Sequence, residues 1–381
     1  MKIKSDKTSD YPLRSIYFYP TETCNLRCIH CWIQPSYASD EISYQKLNQE
    51  NVSVATMERV VRDALPLGLN HIKFTGGEPF LNPGLFDFLE AFAQSGLSFA
   101  FETNGTLLTE GIVKRLKEYN LKQISVSLDG SVPEVHERIR GVKGSFEKAV
   151  NGIELLIRHE ISPQVILCFQ KANAHDLANT IQLAHRLGVR SFEINPLSLM
   201  RPKALKPKLC EGLPVEGLLA LERKVEGELT TRFPDMHINL YLPPALKGIK
   251  ELSRRTLYTC RILNICGILS NGDVSICGIG SGNKDLIMGN VKEKSIARIW
   301  EEGLLFKGLR EKLPFELNGI CGRCLFKLHC LGFCRADVVA THGSMTDPYG
   351  LCEEVFQKGL FPNSRILSEG ESASIKDNAL R

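Results

Sequence analysis

Three cysteines crowd into one short stretch, Cys24-Asn25-Leu26-Arg27-Cys28-Ile29-His30-Cys31, and any fold of this chain has to accommodate thiols that stand side by side. A loop of that length cannot present three thiolates to three separate partners, so they converge on one metal centre. Iron–sulfur clusters are held by Cys thiolates, and a cubane of four irons ordinarily takes four, so three ligands leave one iron open. A zinc site lacking one ligand is the competing assignment, because Cys-x2-Cys pairs also belong to zinc modules. The chain has thirteen cysteines in all. Its start, Met1-Lys2-Ile3-Lys4-Ser5-Asp6, is polar and lacks the apolar core of a secretion signal. Metal or redox chemistry in a reducing, cytoplasmic compartment is therefore expected over a disulfide framework. No apolar run reaches the roughly eighteen residues of a bilayer span. A net charge of +4, from 47 Lys+Arg against 43 Asp+Glu, is too weak to argue for nucleic acid or a membrane surface.

Around the cysteines, from residue 13 to about 195, strand-like runs alternate with helical ones. The strands read as Arg14 to Tyr19, His71 to Thr75, Ser98 to Glu102, Lys122 to Leu128, Gln164 to Gln170 and Arg190 to Asn195. Between them, Met57, Val60, Val61, Ala64 and Leu65 recur at helical spacing before Pro66 and Gly68. Residues 83–95 read as helical, Thr109 can cap a helix carrying Ile112, Val113 and Leu116, and Ser145 opens another. A further helix runs from Asn173 to Leu187. Six βα-type repeats of this kind specify an α/β protein with a parallel sheet or barrel.

The strand faces carry a second message. Ile124, Val126 and Leu128 share one face while Ser125 and Ser127 share the other, because side chains alternate along a strand. Phe99 and Phe101 oppose Glu102, and Phe192 and Ile194 oppose Glu193 and Asn195. With the apolar faces turned to the helices, Lys73, Thr75, Glu102, Asn104, Ser125, Ser127, Glu193 and Asn195 are expected to point into a lumen unusually polar for a parallel sheet. An edge strand with one solvated face is the alternative for any one of them.

Motifs close the strands in order: Thr75-Gly76-Gly77-Glu78-Pro79 after the second, Thr103-Asn104-Gly105 after the third, Ser127-Leu128-Asp129-Gly130 after the fourth, and Ile139-Arg140-Gly141 beyond. Together with Cys24-x3-Cys28-x2-Cys31 this set resembles the radical S-adenosylmethionine (SAM) enzymes, and barrel active sites lie at that end of the strands. The resemblance implies that Cys24, Cys28 and Cys31 hold a [4Fe-4S] cluster whose open iron chelates SAM. It assigns Gly76, Gly77, Glu78 and Pro79 to the methionyl amino group, Asn104 and Ser127 to ribose and carboxylate, and His30 to the same site. Arg140 would pair with the SAM carboxylate, since Arg suits planar carboxylate recognition, with Arg138 as competitor.

Beyond residue 259 the chain turns rich in Cys and Gly. Cys260 precedes Gly272 and Cys277, followed by Cys321-x2-Cys324-x5-Cys330-x3-Cys334 and finally Cys352. This resembles the seven-cysteine SPASM domain, with Cys266 as an eighth thiol. Eight thiolates satisfy two four-cysteine cubanes. The resemblance implies an inner auxiliary [4Fe-4S] cluster on Cys260, Cys266, Cys277 and Cys334 and an outer one on Cys321, Cys324, Cys330 and Cys352. Should Cys266 not be a ligand, the inner cluster keeps an open iron. Cys168 and Cys210 fit neither motif and read as buried apolar residues.

The resemblances imply a partial (β/α)6 barrel over residues 11–200, a bridge over 201–259, the auxiliary-cluster domain over 260–355 and a polar tail over 356–381. They imply SAM cleavage to a 5′-deoxyadenosyl radical that abstracts hydrogen from a peptide or protein, with a ribosomal precursor peptide first in line. The outcome would be a thioether or carbon–carbon cross-link or a related change, with a reductant such as flavodoxin or ferredoxin. The alternatives are an anaerobic sulfatase-maturating enzyme and, remotely, a zinc-binding interaction protein. Against formylglycine formation, sulfatase-maturating relatives carry an Asp just after the cysteine matching Cys277, and here that position is Gly278, which cannot take a proton. Asp273 and Asp285 lie close enough in sequence to serve as a displaced base. A first strand near residue 14 also leaves no room for an N-terminal leader-binding module of about eighty residues.

Overall fold

The computed structural model describes residues 11–33, 35–197, 210–254, 259–279, 283–368 and 370–371. Most of the first part of the expected bridge, residues 201–209, and the last ten residues of the tail lie outside them. Strands β1 (Ser15–Thr21), β2 (His71–Gly76), β3 (Ser98–Thr103), β4 (Leu121–Ser127), β5 (Gln164–Phe169), β6 (Ser191–Pro196), β7 (His237–Leu240), β8 (Ile265–Ile268), β9 (Asp273–Ser275) and β10 (Ile287–Asn290) form one sheet. Its order is β10-β9-β8-β1-β2-β3-β4-β5-β6-β7. β1 to β7 pair parallel in sequence order, β8 joins β1 in parallel, and β9 and β10 return antiparallel. With β7 and β10 as free ends, the barrel is partial, as the resemblance implied.

The crossover helices start and pack as their sequences dictate. Ser53 caps Val54–Ala64 by accepting from the Thr56 amide, and that helix buries Met57, Val60, Val61 and Ala64. Thr109 caps Glu110–Leu116 in the same way. Facing them, Ile72, Phe74, Phe99, Phe101, Ile124, Val126, Phe192 and Ile194 are at most 2% exposed. Phe74 and Phe101 stack at 4.8 Å between centroids. Burying each such side chain contributes about 1.5–3 kcal/mol. The whole polar set of the opposite face is thereby turned inward, as alternation required.

Four strands, β7 to β10, went unread in the sequence. β7 comes from the bridge and has only four residues, His-Ile-Asn-Leu, too few to show a period. β8, Ile-Cys-Gly-Ile, belongs to the cysteine-rich region yet extends the barrel sheet beside β1. The change of composition at residue 260 is therefore not a break in the sheet. Trp300 Nε1 donates to the Tyr11 carbonyl at 3.1 Å, and Arg59 Nη2 to that of Val291 at 2.5 Å, across the same boundary. Among the described residues no helix is long and apolar enough to cross a membrane.

Candidate metal centres and active site

The cysteine loop leaves the C-terminal end of β1 and is held from three sides. Cys24 N donates to Ser36 O at 2.9 Å and Ala38 N to Cys24 O at 3.1 Å. Arg27 N and Ile29 N donate to the carbonyls of Arg140 and Ile139 at 3.0 and 2.9 Å. From β2, Gly77 N reaches Thr21 O and Glu78 N reaches Thr23 O, both at 3.0 Å. A Cβ on Gly77 would run into the Thr23 carbonyl, and one on Gly141 (φ +74°) into that of Arg27. Glycine at these two positions lets neighbouring backbone approach the loop.

Hydrogen-bond donors point at the sulfurs. Leu26 N lies 3.4 Å from Cys24 Sγ, Asn104 Nδ2 3.9 Å from the same atom, and Arg140 Nη1 3.6 Å from Cys28 Sγ. Burial, then the Glu78 carboxylate and Cys28 push the Cys24 thiol well up. Burial likewise raises Cys28 against the pull of Arg140. Such thiols ionise when a cationic centre offsets their mutual repulsion, and N–H donors to sulfur tune cluster-bound thiolates. Beside them, His30 Nδ1 is buried without a hydrogen-bond partner, and burial pushes the ring down to about 4. Buried imidazole nitrogens without partners are costly and invite a ligand. Among the described residues no three His, Cys, Asp or Glu side chains gather around a point that suits one metal ion. Thiolates on separate irons of a cubane stand wider apart than the ligands of one ion. The donor set fits an iron–sulfur centre.

Several residues expected to touch SAM also hold this scaffold together. The Glu78 carboxylate is fully buried and accepts from Thr103 Oγ1 (2.7 Å), Asn104 N (2.8 Å) and Phe80 N (3.2 Å). Burial raises it to about 7 even so. Through these bonds it ties the end of β2 to the end of β3. Pro79 is buried in the 3-10 turn Pro79–Leu81. Asn104 donates to Asn25 Oδ1 at 2.9 Å and accepts from Thr106, so it holds the cysteine loop rather than an open position. Arg140 Nε stands 2.7 Å from Asp129 Oδ2, which is itself fully buried. Against burial, Arg140 holds the Asp129 carboxyl below its ordinary range. Arg140 is thus already charge-compensated, whereas Arg138 points outward to the Ala172 carbonyl. Gly76 lines the loop contact, and Ser127 is half-buried at the end of β4.

The C-terminal cysteines fall into two groups. Cys321, Cys324, Cys330 and Cys352 line one pocket with Ile320, Phe333 and Phe361. Tyr349 N donates to Cys321 Sγ at 3.3 Å and Phe326 N to Cys324 Sγ at 3.4 Å. Burial and then Cys321 raise Cys330 to about 12. Cys260, Cys277 and Cys334 form the second group: burial, then Cys334 and Cys260, push Cys277 well up. Arg335, fully buried, is anchored on the carbonyls of Gly332, Met345 and Asp347. It interacts with Cys321, Cys330 and Cys352 and with Cys334, one cation between both groups.

Cys266 does not join them. It pairs with Ile16 in the β1–β8 ladder, is 0% exposed, and burial alone pushes its thiol up. Alternation puts it on the helix-facing side with Ile16 and Phe18, while Gly267 takes the Tyr17 side. Gly278 packs against Tyr17, and its carbonyl accepts from the Tyr19 hydroxyl. Neither displaced base reaches it: Asp273 is tied to Asn271 and Asn290, and Asp285 is exposed.

Below the loop, the lumen is lined by paired charges. Lys73 and Glu102 form an ion pair, Thr75 Oγ1 donates to Glu102 at 2.8 Å, and Lys73 Nζ lies 4.9 Å from the Tyr17 ring centroid. Burial opposes it, but Lys73 holds Glu102 below the usual carboxylate range. Lys247 lies 3.7 Å from Glu222 and donates to Asn239 at 3.1 Å. Burial raises Glu193, which neighbours Asn195 and Asn239. Tyr17, Tyr241 and Lys247 were not read from the sequence, since single residues in short strands carry no motif. Cys168 was misread: it alternates with Val165, Leu167 and Phe169, and so faces the lumen near Asp129 and Arg140.

Comparison with known proteins agrees with this geometry. Residues 18–184 match the profile of the Radical SAM superfamily and residues 260–325 that of SPASM, an iron–sulfur cluster-binding domain. An AdoMet-dependent heme synthase of Methanosarcina barkeri is 27% identical over 352 residues, covering 89% of this chain and 96% of that protein. The PqqA peptide cyclase of Ruegeria pomeroyi is 26% identical over 340 residues, covering 86% and 84%. Streptococcus suis SuiB bound to S-adenosylmethionine shares the fold with a TM-score of 0.70 at 18% identity, over 90% of this chain and 77% of that one. The chain carries a radical SAM domain and, behind it, a SPASM iron–sulfur domain.

Proposed function

We propose that this enzyme modifies a peptide by hydrogen abstraction in the barrel lumen. The [4Fe-4S] cluster that Cys24, Cys28 and Cys31 would hold supplies, with SAM, the 5′-deoxyadenosyl radical for that abstraction. The chain's own residues do the positioning. Glu78, Asn104 and the Asp129–Arg140 pair fix the cysteine loop over the mouth, while Gly76 and Gly77 leave backbone exposed beside it. Lys73, Glu102, Glu193, Asn195 and Asn239 line the cavity with alternating donors and acceptors, which match the amides of a peptide. Two auxiliary clusters, on the inner and outer cysteine groups, complete the cofactor set.

The observation that carries the peptide reading is the lumen's charge. Among the described residues, Lys73 and Lys247 each stand beside a glutamate, and Lys73 is shared with a second one, Glu193. A relative named as a peptide cyclase and SuiB, solved with its precursor peptide SuiA, support it. A haem precursor is the second reading, favoured by the near full-length similarity to a heme synthase. Its carboxylates would meet a balanced to acidic wall among the described residues, and like charges in a partly buried site repel. The test is 5′-deoxyadenosine release by the reduced enzyme with SAM and either a library of short Cys-containing peptides or iron coproporphyrin III. The peptide is expected to stimulate release about tenfold or more and to change mass. Stimulation and turnover by the porphyrin alone would overturn the reading. The Gly278 position predicts no formylglycine from a sulfatase-derived Cys peptide in the same assay.

A further inference from the structure

One side chain, Tyr19, joins the cysteine loop to the inner cysteine group. It lies two residues on from Tyr17 near the end of β1 and is 0% exposed. It packs with Ile33 and Leu269, and Cys31 lies against the same cluster. Gly76 leaves space for it, because a Cβ at that position would run into the Tyr19 ring. The Tyr19 hydroxyl donates to the Gly278 carbonyl. It also accepts from the side chain of Trp32, whose indole N–H is a donor only. Trp32 is the residue after Cys31, and Gly278 is the residue after Cys277. Two hydrogen bonds through one buried hydroxyl therefore connect a thiol of the loop with a thiol of the inner group. Packing alone does not ask for this, since phenylalanine would fill the same space. The lumen offers no such link among the described residues: Tyr17 and Lys73 stand near the inner group, but their contacts run on to Glu102 and Thr75.

We infer that Trp32, Tyr19 and the Gly278 carbonyl form the route by which electrons pass between the SAM-cleaving cluster and the inner auxiliary cluster, with Tyr19 as the positioning residue that closes it. The inference rests on the cofactor set described above and not on the identity of the substrate. Covalent and hydrogen bonds couple an electron donor to an acceptor better than an open gap of the same length, and the protein's part in such chemistry is orientation. The electrons balance simply. Cleavage of SAM takes one electron from the cluster on Cys24, Cys28 and Cys31, and the reduced inner cluster returns one and is itself oxidised by one. No proton moves and no bond forms along the route.

The test needs no substrate. Reconstituted native protein and the Tyr19→Phe variant are fully reduced, freed of reductant and mixed with excess SAM. Freeze-quenched samples are followed by electron paramagnetic resonance, with 5′-deoxyadenosine counted in parallel. The inner signal is assigned as the one missing from Cys277→Ala. In the native protein that signal is expected to decay after the signal of the SAM-cleaving cluster, with 5′-deoxyadenosine exceeding the equivalent which that cluster alone can supply. Tyr19→Phe is expected to stop at that equivalent and to leave the inner centre reduced. Equal decay of the inner signal in both proteins would overturn the inference, and so would a native inner signal that SAM leaves untouched. Midpoint potentials of both centres are expected to be unchanged in Tyr19→Phe. A shifted potential that accounts for the lost decay would make the hydroxyl a tuning group and overturn the route. If Tyr19→Phe loses iron, Trp32→Phe carries the same comparison at a side chain that is 38% exposed, and native-like decay there would overturn the inference. Because no peptide takes part, the peptide reading stands or falls separately.

Discussion

Gly77→Ala is expected to lower 5′-deoxyadenosine formation by about 100-fold, the scale on which a misplacement of about 1 Å acts in a catalytic site. The new Cβ meets backbone, the Thr23 carbonyl and the Glu22 carbonyl carbon, rather than the end of a flexible side chain. Backbone at 22–24 then has to move, and Cys24 moves with it. The Glu78 N to Thr23 O bond, one residue on, is strained by the same shift. Gly111→Ala is the matched control, because a Cβ there meets nothing within 4 Å. It sits in a helix, where alanine is favoured over glycine by about 0.5–1 kcal/mol. Anaerobic assays of both proteins with SAM and dithionite, alongside iron counts, check the pair. Equal activity in the two variants would remove the close approach at Gly77 from the account.

Lys73→Met is expected to abolish substrate modification and to destabilise the fold by about 2–3 kcal/mol, below the roughly 3–5 of a fully buried broken pair. The discount reflects side chains that are 25% and 31% exposed. The sign with pH is informative. In the native protein Lys73 holds Glu102 below its ordinary value, so the pair's contribution is present at neutral pH and is lost as pH falls through the carboxylate range. Without Lys73, burial dominates and raises Glu102, so the variant gains as pH falls while the native protein loses. The stability gap between them should narrow from pH 7 to pH 4. Lys73→Met with Glu102→Leu is expected to regain stability yet remain inactive on peptide, while SAM cleavage without substrate stays intact. Recovery of peptide turnover in the double variant would show that the pair only supports the fold.

The parts of this protein that were legible in its sequence are those with either a period or a motif. Strand alternation placed Glu102, Ser125 and Glu193 inside because Phe101, Ile124, Val126 and Phe192 had to meet helices. The cysteine spacings and the glycine–glutamate turn located the site at the ends of the strands. What spacing could not give was direction. Cys266 stands six residues after Cys260, and its neighbours in β1 were decided by a register that only pairing reveals. The scaffold bonds of Glu78 and Arg140 could not be foreseen, because their partners, Asn104 and Asp129, lie 26 and 11 positions away. Cys168 was set aside as an apolar residue, although its own strand pattern, with Val165, Leu167 and Phe169 buried, already pointed it inward.

The central claim is that the cysteine loop and the two C-terminal cysteine groups hold separate iron–sulfur centres, with only the first cleaving SAM. Iron and acid-labile sulfide counts on the reconstituted protein and on its Cys24→Ala/Cys28→Ala/Cys31→Ala variant test it most directly. The account predicts about twelve irons in the first and about eight in the second, with SAM cleavage lost completely in the variant. Stoichiometric zinc with no broad visible absorption, or a variant that keeps all its iron and still releases 5′-deoxyadenosine, would contradict it.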